Sequence, residues 1–317
     1  MTKKPMVILT GPTAVGKTEL SISLAKAING AIISADSMQV YKYMDIGSAK
    51  IMPQEMDGVK HYLIDELMPD EEFNIYIFQK MAKEALDEIY ANNKIPIIVG
   101  GTGFYIQGLL YDINFEEAKA DEAFRRKMEE FARKNGAEAL HAKLLDIDKE
   151  SYDTIHPNNI KRVIRALEYY HLNNAPISEH NKKEREKESP YNFAYFVLND
   201  LRDNLYKRID LRVDIMMQNG LPEEIKKLKD MGYTRDMVSM QGLGYKELLD
   251  YYSGILSLDE AVDKIKNETR HFAKRQLTWF RREKEVEWIN KQEFNYDNKL
   301  ILEHALDILK EKRIINC

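Results

Sequence analysis

Residues 11–18 read Gly11-Pro12-Thr13-Ala14-Val15-Gly16-Lys17-Thr18. This is G-x-x-x-x-G-K-[ST], and its flanks are the ones that pattern requires. Before it, Met6-Val7-Ile8-Leu9 is a short apolar run that reads as a buried parallel strand. After it, Glu19-Leu20-Ser21-Ile22-Ser23-Leu24-Ala25 reads as an amphipathic helix. Strand, glycine turn and helix together make a phosphate cradle. The glycines let backbone N–H groups between Gly11 and Thr18 turn inward, and the helix N-terminus adds its partial positive charge. Lys17 is placed to reach terminal phosphates, and the Thr18 hydroxyl to ligate Mg²⁺. The motif specifies a phosphorylated ligand without saying whether it is a nucleotide.

Working outward, the first ~110 residues alternate strands with helices, the pattern of a parallel sheet covered on both faces. Strands are expected at Met6–Thr10, Ala31–Ser34, His61–Ile64 and Ile95–Val99, with a helix over Ile75–Tyr90. The Ile95–Val99 run ends in Gly100-Gly101-Thr102-Gly103, which places a glycine loop on the sheet edge where ligands of open α/β folds bind. Residues 115–190 are rich in Glu, Lys, Arg and Ala at helical spacing, with no good strand, and Lys182–Glu188 is charged enough to be solvated or mobile. Phe193–Leu198 returns as a core strand, followed by helices at Leu201–Asn219, Pro222–Met231, Leu258–Arg282 and Lys299–Lys312. The expected class is therefore α/β: a P-loop NTPase-like parallel sheet flanked by helices, with a mostly helical insertion domain. The core takes residues 1–112 and 191–317, and the insertion 113–190.

Bulk properties bound the function. At 317 residues the chain suits two domains, or one with a large insertion. With 44% hydrophobic and 31% charged residues it has the composition of a soluble globular protein. No stretch approaches the ~20 apolar residues that span a bilayer, so no membrane partner is expected. Met1-Thr2-Lys3-Lys4-Pro5 leads directly into the first strand and leaves no room for a signal peptide. The one cysteine is Cys317, which excludes a disulfide framework and points to the cytoplasm. It gives no reason for a covalent dimer, and a monomer is expected. A net charge of −5 argues against a uniformly basic nucleic-acid binder but permits local patches. Two are visible: Lys161, Arg162 and Arg165, and then Arg270, Lys274, Arg275, Arg281, Arg282 and Lys284. Charge alone equally describes solvated helix faces.

Four further features carry chemistry. Asp36, just past the second strand, points into the cleft as a metal-coordinating or turn-capping carboxylate, or as a general base. Thr102 is either part of a structural turn or a hydroxyl that glycines allow close to a reacting group. Arg208 and Arg212 share a helix face at i and i+4, and either neutralise a leaving pyrophosphate or pair with Asp203 or Asp210. Lys274-Arg275-Gln276-Leu277-Thr278-Trp279-Phe280-Arg281-Arg282 interleaves cations with aromatics, which suits RNA phosphates and stacking. The competing reading puts Trp279 and Phe280 in the core and the arginines in solvent.

Taken together, several blocks resemble the tRNA dimethylallyltransferases. They are Gly11–Thr18, Asp36–Lys42, Met44–Lys50, Gly100–Tyr105, His156–Asn158 with Lys161-Arg162 and Arg165–Glu168, Gly242–Lys246 and Lys274–Arg281. The match runs in order from residue 6 to about 288. Ser48 stands where that family usually has Thr, His61-Tyr62 where it usually has His-His, and no Cys/His pattern for a C-terminal zinc finger is present. The likeness is thus to the bacterial form.

That resemblance implies transfer of a dimethylallyl group from dimethylallyl diphosphate to N6 of the adenosine 3′ of the anticodon, in tRNAs reading codons that begin with U. It implies that Gly11 to Thr18 hold the donor's diphosphate, with Mg²⁺ at Thr18. Arg212, in preference to Arg208, and Lys17 would then stabilise the leaving group. Asp36 would be the general base and Thr102 would align the reactants. The target base would be extruded from the anticodon loop. It implies tRNA contacts at Asp36, Ser37, Met38, Gln39, Thr102, Arg125, Lys161, Arg162 and Arg165. Further contacts are implied at Gln241, Gly244, Tyr245, Lys246, Lys274, Arg275, Gln276, Thr278, Trp279 and Arg281, with the insertion clasping the stem-loop. Alternatives are a P-loop kinase, for which no lid sequence stands out, a prenyltransferase of free adenine nucleotides, and a non-enzymatic RNA-binding module.

Overall fold

The computed structural model describes residues 3–115 and 121–316, and for Arg185 the backbone alone. Met1, Thr2, residues 116–120 and Cys317, which enter the sequence reading, lie outside that range. The chain divides into two compact units: Met1–Leu110 with Pro190–Cys317, and Tyr111–Ser189.

In the first unit, strand β1 (Lys4–Thr10) runs into helix α1 (Lys17–Ala27), then β2 (Gly30–Ala35), β3 (His61–Tyr62), α2 (Ile75–Ala91), β4 (Ile95–Gly100) and α3 (Gly103–Leu110). The six-stranded sheet has the order β3-β2-β4-β1-β5-β6, where β5 is Tyr191–Asn199 and β6 is Val286–Asn290. Every pairing is parallel. Continuous apolar runs are what a parallel sheet buried on both faces needs. All six residues of β2 are accordingly buried, as are Met6 to Thr10 of β1. Parallel alignment brings all the carboxyl ends to one edge: Thr10 is in register with Gly100 and with Val197, and Ala35 with Gly100.

One strand expectation needs correction, and one strand lies outside the expected set. The third strand holds two residues, not the four of His61–Ile64, because Leu63 takes a positive φ of 63° and leaves the ladder. Strand β6 was not anticipated at all. Among the described residues it pairs only with β5, and it is buried at Ile289 alone, so it lacks the apolar run that marks an inner strand.

The second unit is helical: α4 (Glu122–Asn135), α5 (Ala137–Ala142), α6 (Lys149–Thr154), α7 (Ile160–Asn173) and α8 (Ile177–Arg185). Its core is Met128, Ala132, Leu140, Leu144, Val163, Ile164, Ala166 and Leu167. Asp148 caps α6 through the Ser151 N–H and also accepts from the Ser178 N–H, which ties α8 to α6. The charged run Lys182–Glu188, read as solvated or mobile, is helical as far as Arg185. Glu184 there accepts from the Asn114 N–H and from Lys187.

The first unit closes with α9 (Arg202–Gln218), α10 (Leu221–Asp230), α11 (Tyr245–Tyr252), α12 (Leu258–Phe280) and α13 (Asn298–Glu311). A capping box starts α12: Ser257 Oγ accepts from the Glu260 N–H, and Glu260 Oε2 accepts from the Ser257 N–H. No described helix is long and apolar enough to cross a membrane.

Candidate active site

The glycine turn after β1 delivers its backbone to the N-terminus of α1, where Gly16 sits at a φ of +99° that L side chains rarely adopt. Lys17 folds its ammonium back over the turn and donates to the Gly11 and Pro12 carbonyls at 3.0 and 2.9 Å. Burial lowers its pKa to about 8, the Arg212 guanidinium adds to the depression, and Asp36 opposes it. Arg212 is itself shifted down by burial and supported by Asp36. Three groups singled out in the sequence therefore lie close enough for their charges to act on one another. Arg212 makes no ion pair among the described residues, so it is available to an anionic ligand.

Asp36 follows β2 directly. Its Oδ1 accepts from the Met38 N–H at 2.8 Å and the Gln39 N–H at 3.4 Å, which fixes the turn and leaves Oδ2 without a hydrogen bond among the described residues. The carboxylate is thus a cap through one oxygen and accessible for chemistry through the other. Thr102 joins this group because its N–H donates to the Ala35 carbonyl at 3.3 Å, one residue from Asp36. Its hydroxyl has no hydrogen-bond partner among the described residues. Tyr105 lies near enough that Asp36 helps burial push its phenol up.

Several expected site residues have other work. The Thr13 N–H, one of the cradle amides, already donates to Gln276 Oε1 at 2.9 Å. Gln276, expected on an RNA-contact surface, is buried at 6% exposure, because it faces inward from α12 while Lys274, Arg275, Thr278 and Arg281 face solvent. Tyr245 is fully buried and Gly244 is the buried N-cap of α11, so neither is open to a ligand. Gln39 uses both ends of its amide inside the fold, with Ser34 Oγ donating to Oε1 and Nε2 donating to the Ala49 carbonyl. Met38 packs its Cε against Gly242, and Ser37 sits half-buried in the same turn. Gln241 is exposed and donates to the Arg235 carbonyl, and Lys246 faces Glu247. Arg208 pairs with Asp200 at 3.6 Å, not with Asp203 or Asp210, since Asp210 is held by Arg270.

In the helical unit, Arg125 makes a two-pronged bond to the fully buried Glu168, and Arg165 reaches the same carboxylate at 3.2 Å. Both arginines anchor the fold of that unit. Lys161 and Arg162 are exposed on α7 and make no ion pair among the described residues.

The outer face of α12 carries a groove of about 380 Å³ lined by His271, Lys274, Arg275, Thr278, Trp279 and Arg282. Arg282 lies 4.9 Å over the Trp279 ring and Phe104 meets that ring edge-on at 6.2 Å. Phe280 is in the core, whereas Trp279 is half-buried, with an Nε1 that has no hydrogen-bond partner among the described residues. Of the competing reading, Phe280 is in the core and Trp279 is not, and the cations Lys274, Arg275, Arg281 and Arg282 are exposed.

Sequence reading missed Lys291, at the carboxyl end of β6. It is 7% exposed and its Nζ would lie 3.4 Å from a Cβ on Gly16. Burial lowers its pKa and Arg208 adds to the effect. A lysine just past a strand is a signal, but the strand itself had to be seen first.

A glycine turn of P-loop sequence at the carboxyl edge of a parallel sheet, with Lys17, Arg212 and Asp36 near it, defines the molecule as a P-loop α/β protein. Comparison with known proteins narrows this. The family model IPP transferase matches residues 39–283. A tRNA dimethylallyltransferase of Lachnoclostridium phytofermentans is 59% identical over 98% of this chain and 99% of its own length. One of Acetivibrio thermocellus is 50% identical over 93% of this chain and 95% of its own. Among solved structures, the tRNA isopentenylpyrophosphate transferase of Bacillus halodurans superposes with a TM-score of 0.73 at 44% identity, covering 98% of each chain. A eukaryotic dimethylallyltransferase acting on tRNA gives 0.77 at 28% identity, over 90% of this chain and 74% of the other. The chain belongs to the IPP transferase family.

Proposed function

We propose that this chain is a tRNA dimethylallyltransferase. It moves the dimethylallyl group of dimethylallyl diphosphate to N6 of the adenosine 3′ of the anticodon in tRNAs reading codons that begin with U, and releases diphosphate. The observation that carries this reading is the convergence of Lys17, Arg212 and Asp36 at the phosphate cradle of a chain 59% identical to an enzyme of that name.

Cleavage of the allylic C–O bond sends its electron pair onto the diphosphate. Charge developing there is best met by donors already in place. Lys17, below its pKa of about 8 at neutral pH, and Arg212 supply positive charge, and the α1 N-terminus adds its dipole. The adenine amine is a weak nucleophile because its lone pair is delocalised into the ring. As the N6–C bond forms, its proton passes to Asp36 Oδ2, the oxygen not engaged in the turn. Thr102, beside Ala35, orients the amine or the donor.

Magnesium fits these residues as an ion carried in with the substrate. No cluster of three or more His, Cys, Asp or Glu groups exists among the described residues. Mg²⁺ commonly keeps several waters and binds through one or two protein oxygens plus substrate phosphates. The exposed Thr18 hydroxyl is the protein oxygen that would hold it, beside the phosphates of the substrate. When bound, it neutralises diphosphate charge.

The tRNA is held by the exposed cations of α12, Lys274, Arg275 and Arg281, with Trp279 and Phe104 as a stacking surface. Lys161 and Arg162 of the helical unit contact the stem backbone. The protein acts in the cytoplasm as a monomer.

A transfer assay with radiolabelled dimethylallyl diphosphate, Mg²⁺ and either unmodified tRNA or AMP tests the proposal. Label in tRNA alone is the expected result. Label in AMP alone would make the chain a free-nucleotide prenyltransferase, and ATP turnover without label would make it a kinase or ATPase.

A further inference from the structure

Gln276 is bonded to both loops that hold the reactants. Its Oε1 accepts the Thr13 N–H of the phosphate cradle at 2.9 Å, and its Nε2 donates to the Gly101 carbonyl of the Thr102 loop at 3.0 Å. The polarity is fixed: a reversed amide would set donor against donor at Thr13 and acceptor against acceptor at Gly101. Contact is so close that a Cβ on Gly101 would come within 2.1 Å of Nε2. One turn further along α12, Trp279 lies where a Cβ on Gly103 would be, 2.2 Å from its ring. The glycines of this loop thus admit the inner face of α12.

We propose that Gln276 is a positioning residue for prenyl transfer, setting the separation between the diphosphate cradle and the Thr102 loop. This rests on the function proposed above. The donor carbon and the N6 atom must meet at bonding distance, and the groups that fix them lie on separate loops after β1 and β4. Backbone loops joined by one buried amide hold a single spacing, and reaction rate is steep in that spacing, with ~1 Å of misplacement able to cost about 100-fold. Gln276 touches neither reactant and acts through the Thr13 and Gly101 backbone.

Three variants test this. Gln276→Met keeps volume and removes both bonds. Its kcat should fall about 100-fold while KM for dimethylallyl diphosphate and the affinity for unmodified tRNA stay within about threefold. Gly101→Ala displaces Nε2 and should give a comparable loss. The double variant should be no slower than the worse single one, because both remove the same contact. Gln276→Glu keeps the Thr13 bond but loses donation to Gly101 when ionised. Its rate relative to wild type should therefore rise as pH falls and the carboxyl gains a proton. A wild-type kcat in Gln276→Met would overturn the proposal, as would additive losses in the double variant. Loss of tRNA affinity in proportion to kcat would make Gln276 an RNA contact instead. Amide exchange at Thr13 provides a check independent of turnover. It should quicken in Gln276→Met, and an unchanged rate would show that the bond does not constrain the cradle. Failure of the function itself would appear separately, as absent transfer by the wild-type chain.

Discussion

Tyr245 donates its hydroxyl to Glu224 Oε1 at 2.8 Å, beneath the loop that follows Met44. The same carboxylate accepts three successive backbone N–H groups, from Asp45 at 2.9 Å, Ile46 at 2.7 Å and Gly47 at 3.1 Å. Successive amides turned toward one anion form a nest, which α10 fills with its own side chain. The Tyr245 ring fits because residue 47 is glycine: a Cβ there would lie 2.6 Å from the ring. Burial pushes the Tyr245 phenol well above its usual range, with Glu224 the next cause. The loop in turn receives Gln39 through the Ala49 carbonyl. Glu224→Ala should cost about 1.5–3 kcal/mol, the range for hydrogen bonds to a charged group, in urea unfolding. Tyr245→Phe should cost about 1 kcal/mol and leave tRNA affinity unchanged. Weaker tRNA binding in Tyr245→Phe at full stability would restore it to the RNA-contact set.

On the proposed reading, Lys17 should make diphosphate binding pH-dependent. In the folded protein its pKa is about 8, against 10.5 ordinarily. A bound diphosphate stabilises the ammonium, so at pH 8.5 binding should take up a proton, up to about three-quarters of one per site. Calorimetry in buffers of different ionisation enthalpy reads this directly, and zero uptake would remove Lys17 from the ligand. The sign for folding runs the other way from a stabilising pair. Below about 8 Lys17 is charged in both states, and its burial opposes folding. Between about 8 and 10.5 the unfolded chain holds the extra proton, so this contribution to stability improves with rising pH.

Asp36→Asn preserves the Oδ1 cap and removes the proposed base. We expect a loss in kcat of about 10²–10⁴-fold, with donor affinity within a few-fold. A large loss of donor affinity that tracks Mg²⁺ concentration would instead place Asp36 on the metal.

Lys291 is a buried ammonium with no ion pair among the described residues. An unpaired buried charge opposes folding, so Lys291→Met should raise the melting temperature. Because its Nζ lies beside Gly16 of the cradle, the same substitution should weaken inorganic diphosphate binding, by about tenfold for one lost charge contact at ~1.4 kcal/mol. Higher stability with unchanged affinity would show that Lys291 does not face the anion.

Arg125→Ala leaves the buried Glu168, among the described residues, with Arg165 and the Asp121 N–H. Removing one partner of a buried ion pair typically costs about 3–5 kcal/mol, and Arg125 is partly exposed, so the lower end is expected. Limited proteolysis of the helical unit should quicken accordingly. Undiminished stability with weakened tRNA binding would make Arg125 a direct contact.

The sequence by itself determined the P-loop half of this protein. The Gly11–Thr18 motif with its flanks, the apolar inner strands and the carboxylate at Asp36 are local signals, because backbone geometry and strand burial impose them on contiguous residues. It also located the cation-rich stretch from Lys274 to Arg282. Which side of that helix each residue occupies was decided by tertiary packing: Gln276 turns in to brace two loops, and Lys274, Arg275 and Arg281 turn out. Tertiary structure likewise decided that Tyr245 and Gly244 are core, and that Arg125 and Arg165 share Glu168. It placed Lys291 beside the cradle through β6, an edge strand too short and too exposed to announce itself. These assignments depend on partners far away in the chain, 263 residues apart for Thr13 and Gln276, and a contact at that separation leaves no periodicity in the sequence to read.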